Sequence, residues 1–162
     1  MRPIASLSMA VLGLTLSIAV SPAAAAGPGF GRTERAMVRS IDRHRADYGL
    51  RALRASRALA RAADFHSREM LAANYFAHNS RNGASFATRV HRFVHARSVG
   101  ETLAFLSSCR YRPVHRVVSM WMHSSTHRAI VLSGGFHRVG IGLRKGRLGS
   151  HRVCVVTADF AR

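Results

Sequence analysis

The apolar residues change period once along this chain, and that change constrains the fold more than any other feature. Up to Gly134-Gly135 they recur at helical spacing, best seen where Leu59, Ala62, Ala63, His66, Met70 and Ala73 fall on one face. Beyond the glycine pair, Val139-Gly140-Ile141-Gly142-Leu143 and Arg152-Val153-Cys154-Val155-Val156-Thr157-Ala158-Asp159-Phe160 read as two strands. Lys145 to Gly149 would join them as a hairpin with a loose glycine loop. Helices first and strands last predict an α+β domain, with helices packed on a small antiparallel sheet. No internal repeat is visible.

The helical part has its own punctuation. Gly27 to Arg32 reads as a lead-in, and Thr33 as the cap of a helix that turns Met37, Ile41 and Tyr48 inward and stops at Gly49. Ser56 is a second N-cap candidate, opening a helix that ends near Asn74. Asn79 to Ser85 is rich in turn formers, which puts His78 at the start of a loop. Pro113 suits the first turn of a third helix burying Val114, Val117, Val118 and Trp121, and Ser124-Ser125 interrupts it and caps a short helix from His127 to Leu132.

The first 26 residues have another logic. One charge at Arg2, an apolar stretch from Ile4 to Val20 and small residues at Ala24 and Ala26 have the layout of a secretory signal peptide cut before Gly27. The alternative is an uncleaved anchor, since about 17 apolar residues reach the lower limit for spanning a bilayer; the alanine-rich end favours cleavage. Domain boundaries are thus expected at 1–26 for the signal peptide, 27–34 for the lead-in and 35–162 for one compact domain. No later segment is apolar for long enough to cross a membrane, so no anchor is expected after cleavage.

Export bears on the only two cysteines, Cys109 and Cys154. In an oxidising compartment they read as one disulfide, whose loop of about 45 residues would stabilise the fold by about 4 kcal/mol. The alternative is a pair of buried thiols, because Cys154 lies in an apolar run. The formal net charge is +18, carried almost entirely by arginine, with Lys145 the sole lysine. Such a charge attracts polyanions of any kind. Aromatic residues do not alternate with the arginines, which argues against a specific nucleic-acid partner and leaves anionic envelope surfaces, or a merely solvated basic surface.

With so much positive charge, the seven carboxylates carry information. Glu101 follows a glycine and is flanked by apolar residues, with histidines distant on both sides, which is the one-dimensional trace of a small polar site. It is expected to be the only carboxylate there. His66 lies on a buried helix face and reads as a hydrogen-bonded core histidine. His123 and His127, like His91 and His95, have a helical metal-pair spacing; the break at Ser124-Ser125 would turn His123 away, and His91 and His95 sit among arginines. Met37, Met70, Met120 and Trp121 read as core. No His-Glu-x-x-His motif, glycine-framed serine elbow or phosphate-cradling glycine loop is present.

In order and spacing, Ala62-Ala63-Asp64-Phe65-His66-Ser67, Phe76-Ala77-His78, Gly100-Glu101-Thr102-Leu103-Ala104, Trp121 with the segment His127 to Leu132, and Val139-Gly140-Ile141-Gly142 resemble the CAP superfamily in its compact bacterial form. That superfamily includes cysteine-rich secretory proteins, antigen 5 and plant pathogenesis-related proteins. The resemblance runs from about Arg35 to Phe160. It implies an α-β-α sandwich around a three-stranded antiparallel sheet and a cavity lined by two histidines and two glutamates, which in some members holds a divalent metal. His78, Glu101 and His127 match three of those four positions, and Ser124 stands where the second glutamate falls. Thr102 stands where the family usually has asparagine, and its hydroxyl could supply part of that hydrogen bonding.

Two functions follow from the resemblance and the residues together. The first is a secreted, extracellular or periplasmic, binding module that holds a lipid, glycan or peptide in a cavity of His78, Glu101, Ser124 and His127. The second is a peptidase-like hydrolase in which Glu101, His78 and His127 activate water. Zinc held by His78 and His127, with Glu101, is one form of that chemistry; a metal-free form has Glu101 orient an imidazole that acts as general base.

Overall fold

The computed structural model describes residues 31–110 and 112–162; the expected signal peptide, its cut before Gly27 and most of the lead-in lie outside the described residues. Five helices and four strands follow in the order α1 (Arg32–Asp47), β1 (Arg54–Ala55), α2 (Arg57–Ala72), α3 (Phe86–His91), β2 (Val99–Leu106), α4 (Pro113–His123), α5 (Ser125–Val131), β3 (Arg138–Leu148) and β4 (His151–Ala161).

The sheet has four strands, in the order β1-β3-β4-β2, not the three implied by resemblance. The fourth is a two-residue parallel rung: the crossing from α1 to α2 passes the free edge of β3, where the Arg54 amide donates to the His137 carbonyl and the Ser56 amide to that of Val139. The hairpin is also longer than its apolar core suggested. Strand pairing continues from Lys145 opposite Cys154 to Leu148 opposite His151, so the loose loop is a turn at Gly149-Ser150, with Gly149 at φ +58°. Charged residues at alternate positions extend a pleat as well as apolar ones do when that end of the sheet faces water.

Alternation along the strands gives each sheet face its own cover. Val139, Ile141, Cys154, Val156, Ala158, Phe160, Ala104 and Leu106 meet Met37, Ile41, Val117, Val118, Trp121 and Val131 of α1, α4 and α5. The opposite face meets α2, where close approach requires glycine: a Cβ on Gly140 would lie 2.0 Å from the Ala60 nitrogen, and one on Gly142 2.4 Å from the Ala63 carbonyl carbon. A disulfide joins Cys109 to Cys154, with Cα atoms 5.5 Å apart, and ties the segment after β2 to the sheet.

The helix caps follow the sequence in part. Ser56 and Ser124 accept from the Leu59 and His127 amides, as their types predict, and Pro113 opens α4. The cap of α1 is Gly31, on extended backbone two residues before Thr33, and Tyr48 at the helix end is exposed rather than inward. α3 was not anticipated; Ser85 caps it by accepting from the Thr88 amide. Met120 is 47% exposed, because Val117, Val118 and Trp121 occupy the buried stripe of α4. Thr102 is fully buried and, among the described residues, its hydroxyl has no hydrogen-bond partner, so it does not supply the bonding expected of it.

Candidate functional site

Glu101 is placed by the edge strand β2, whose odd-numbered side chains face α2. Gly100 before it faces the other layer, where a Cβ would strike the Phe136 ring at 2.8 Å. The chain leaving α2 runs back along the same strand: Phe76 packs edge-on to Phe105 with ring centroids 5.0 Å apart, and two residues later His78 reaches Glu101. His78 Nδ1 lies 2.8 Å from Glu101 Oε1, and the Arg89 guanidinium of α3 donates to Oε2. Arg89 also donates to the His78 carbonyl at 2.9 Å and to the Ser80 hydroxyl at 3.2 Å, so one buried cation fixes both the glutamate and the loop carrying the histidine.

His127, in the first turn of α5, completes the cluster at the surface, its ring centroid 6.4 Å from that of His78. Burial, and then the neighbouring charge of His78, hold its pKa below the ordinary histidine value. The Phe86 ring lies 6.3 Å from His78 on the other side. Ser124 spends its hydroxyl on capping α5. His78, Glu101 and His127 therefore come together, with His78 half exposed and Glu101 buried, and Ser124 is tied to them only through its cap on the His127 amide.

The polar cluster continues inward beyond what was anticipated. Asp159 of β4 pairs directly with Glu101 in the strand register and is fully buried. Among the described residues its oxygens have no hydrogen-bond partner of ordinary length; burial first, then the charge of Glu101, push its pKa well above the usual carboxylate range. Glu101 is thus not the only carboxylate at the site. Next to it, buried His66 bonds the Ala77 carbonyl at 2.8 Å and Glu69 at 3.1 Å, as a core histidine should, and Glu69 accepts from Ser80 at 3.0 Å. Burial raises the Glu69 pKa, but hydrogen bonds from Tyr75, His66, Ser80 and the Arg81 amide outweigh it and hold the carboxylate low. Asp159, Arg89 and Glu69 were missed because each belongs to a different element, and only the fold brings them together.

The other histidines stand apart. His123 is exposed and bonds the Ser119 carbonyl of its own helix at 2.8 Å. His91 and His95 share a surface depression with Arg97 and Arg162. Among the described residues, no three His, Cys, Asp or Glu side chains are placed to hold a metal ion. Both oxygens of Glu101 are engaged, one by a guanidinium, so the donor set does not fit zinc with Glu101 as a ligand. Glu101 is arranged instead to orient His78 through Nδ1, leaving Nε2 free of that bond.

The geometry can be set beside known proteins. The Cysteine-rich secretory protein family, CAP, matches residues 38–159. Among solved structures, an extracellular protein containing an SCP domain from Bacillus anthracis is similar at 23% identity and a TM-score of 0.67, covering 80% of this chain. The match spans only 40% of that protein's length. An outer surface protein from Borrelia burgdorferi is similar at 18% identity and a TM-score of 0.61, with 79% of this chain and 92% of that one covered. Venom allergen-like protein 4 of Schistosoma mansoni is similar at 14% identity and a TM-score of 0.61, with 82% and 89% covered. No curated protein matches the sequence. The ordered motifs, the α-β-α layers and the match over residues 38–159 together make this chain a member of the CAP family.

Proposed function

We propose that this chain is an exported binding protein that holds a lipid, glycan or peptide of the cell envelope or medium at the surface around His78 and His127. The observation carrying this reading is the double engagement of Glu101. With His78 on one oxygen and buried Arg89 on the other, its charge is already compensated, and the cluster presents imidazoles rather than a free carboxylate. Phe86 beside His78 and the exposed pair Phe76 and Phe105 add aromatic area suited to a ligand with an apolar body. Export agrees with the extracellular and outer-surface descriptions of structural neighbours and with the leader; the exported protein should begin at Gly27 by intact mass, and retention of Met1 would overturn that.

One feature favours a second reading, hydrolysis: a buried carboxylate 2.8 Å from His78 Nδ1 is also how a general-base imidazole is oriented. His78→Ala and His127→Ala, both at surface positions, separate the two. Titration with a fatty acid, a chitin oligomer and an apolar peptide, followed by amide NMR shifts, should show one of them bound around residues 76–78 and 127, and weakened in both variants. Binding indifferent to both changes would sink the assignment. Turnover of ester or peptide substrates that falls about a hundredfold in His78→Ala, with the fold intact, would establish the hydrolase instead.

A further inference from the structure

A separate cationic depression lies where the far end of the β3–β4 hairpin meets the segment after β2. Its volume is about 500 Å³, and Arg110, Lys145, Arg147 and Arg152 line it together with Ser107 and Ser108. None of the residues around His78 belongs to it. Arg147 and Arg152 stand directly opposite each other in the strand register, and Lys145 opposite Cys154, so all three cations emerge on the face that carries the disulfide. The bridge to Cys109 then holds Ser107, Ser108 and Arg110 over that face.

Like charges directly opposite in a strand pair repel. Among the described residues nothing offsets them: no carboxylate lines the depression, and none of its four cations takes part in a salt bridge. The contrast with the neighbouring position is informative. Arg144, one residue before Lys145 on the opposite face, is paired with Asp64 at 2.5 Å. Arg147 is held at the turn by donating to the Ser150 carbonyl, which orders its guanidinium without neutralising it. Three guanidinium forks, an ammonium and two hydroxyls around one hollow are donors only or donor-rich, and they match the several acceptor oxygens of a phosphate group. Val153 and Cys109 supply an apolar wall beside them.

We propose that this depression is a second ligand site, independent of the His78 cluster, which takes a phosphate-bearing ligand: a phosphate monoester or diester, either soluble or as a lipid headgroup. The general basicity of the chain makes charge-matched controls essential, so the test compares Arg147→Gln/Arg152→Gln with Arg57→Gln/Arg61→Gln on the exposed side of α2. Glycerol phosphate and vesicles of phosphatidylglycerol in phosphatidylcholine are the probes, with the disulfide-intact chain at about 0.15 M salt. The hairpin variant should bind about tenfold more weakly, the scale for losing charge-assisted hydrogen bonds, and the α2 control within about twofold of the parent. Amide shifts induced by glycerol phosphate should gather at residues 107–110 and 145–153, a readout needing no variant. Glycerol phosphate that displaces the protein from vesicles identifies a soluble-type phosphate site; vesicle binding that it does not displace, yet which depends on Arg147 and Arg152, identifies a lipid headgroup. Equal losses in both variants, shifts spread over the surface, or no binding to either probe would overturn the proposal.

Discussion

On the face covered by α1, α4 and α5, the sheet buries Val139, Ile141, Val156 and Phe160 against Met37, Ile41 and Trp121; on the face covered by α2 it buries Glu101, Thr157 and Asp159 beside Arg89, Ser67 and His66. The first arrangement gains from the removal of apolar area and is tolerant of exact pairing. The second must pair each polar group or neutralise it, since an unpaired buried charge is costly. Ser67 and Thr157 do so at 2.9 Å and Arg89 and Glu101 as an ion pair, while burial and the charge of Glu101 push the Asp159 pKa upward, toward the neutral form. The candidate site is the outer end of this second arrangement. That difference explains why a charged cluster can present a half-exposed histidine in a fixed direction while the disulfide and the largest apolar cluster lie on the other face.

The contrast predicts different responses to mutation. Trp121→Ala should cost about 3–5 kcal/mol in urea unfolding, through lost packing and the lost bond from its indole to the Leu103 carbonyl. A loss under 1 kcal/mol would mean that the apolar face is not the main source of stability. Arg89→Met should cost about 3 kcal/mol by leaving the buried Glu101 carboxylate without its guanidinium, with His78 its remaining partner. Adding Glu101→Gln should recover more than half of that, and strictly additive losses in the double variant would break the picture of a compensated pair.

Asp159→Asn tests the pH sense of the polar face. The folded pKa of Asp159 lies above its unfolded value, so its contribution to stability is fully present below the unfolded pKa and is lost as pH rises through the folded one. The variant has no such dependence, so its stability relative to the parent should increase as pH is raised from about 4 to 7. Parallel curves for the two proteins would show that Asp159 ionises freely. The smallest effect is expected at Thr102, whose buried hydroxyl is unpartnered; Thr102→Val should be neutral or stabilising by less than about 1 kcal/mol. A clear loss in thermal unfolding would reveal a partner for that hydroxyl.

Much of this could be read from the chain. The period change, the serines at positions 56 and 124, Pro113 and the lone glycine-fixed glutamate are local signals, each set by the conformational preference of a residue type or by spacing along one element. His78, Glu101 and His127 were joined only through the resemblance, because no two of them are close in sequence. The buried arginines were illegible for a different reason. Arg45, which donates to the Val131 and Ser133 carbonyls, and Arg89 look like any of the other basic residues until the carbonyls and carboxylate that receive them are brought near.

Periodicity and residue type alone were enough for α1, α2, α4, α5 and the β3–β4 hairpin and for the apolar stripe of α2, since these depend on conformational preference over a few residues. Only the tertiary structure decided α3, the fourth strand, the length of the hairpin, the upward shift of the Asp159 pKa and the engagement of both oxygens of Glu101. Each of those depends on a partner from a distant segment or on the water excluded by it, and electrostatic energy in a low-dielectric interior is fixed by distance in space, not by separation along the chain.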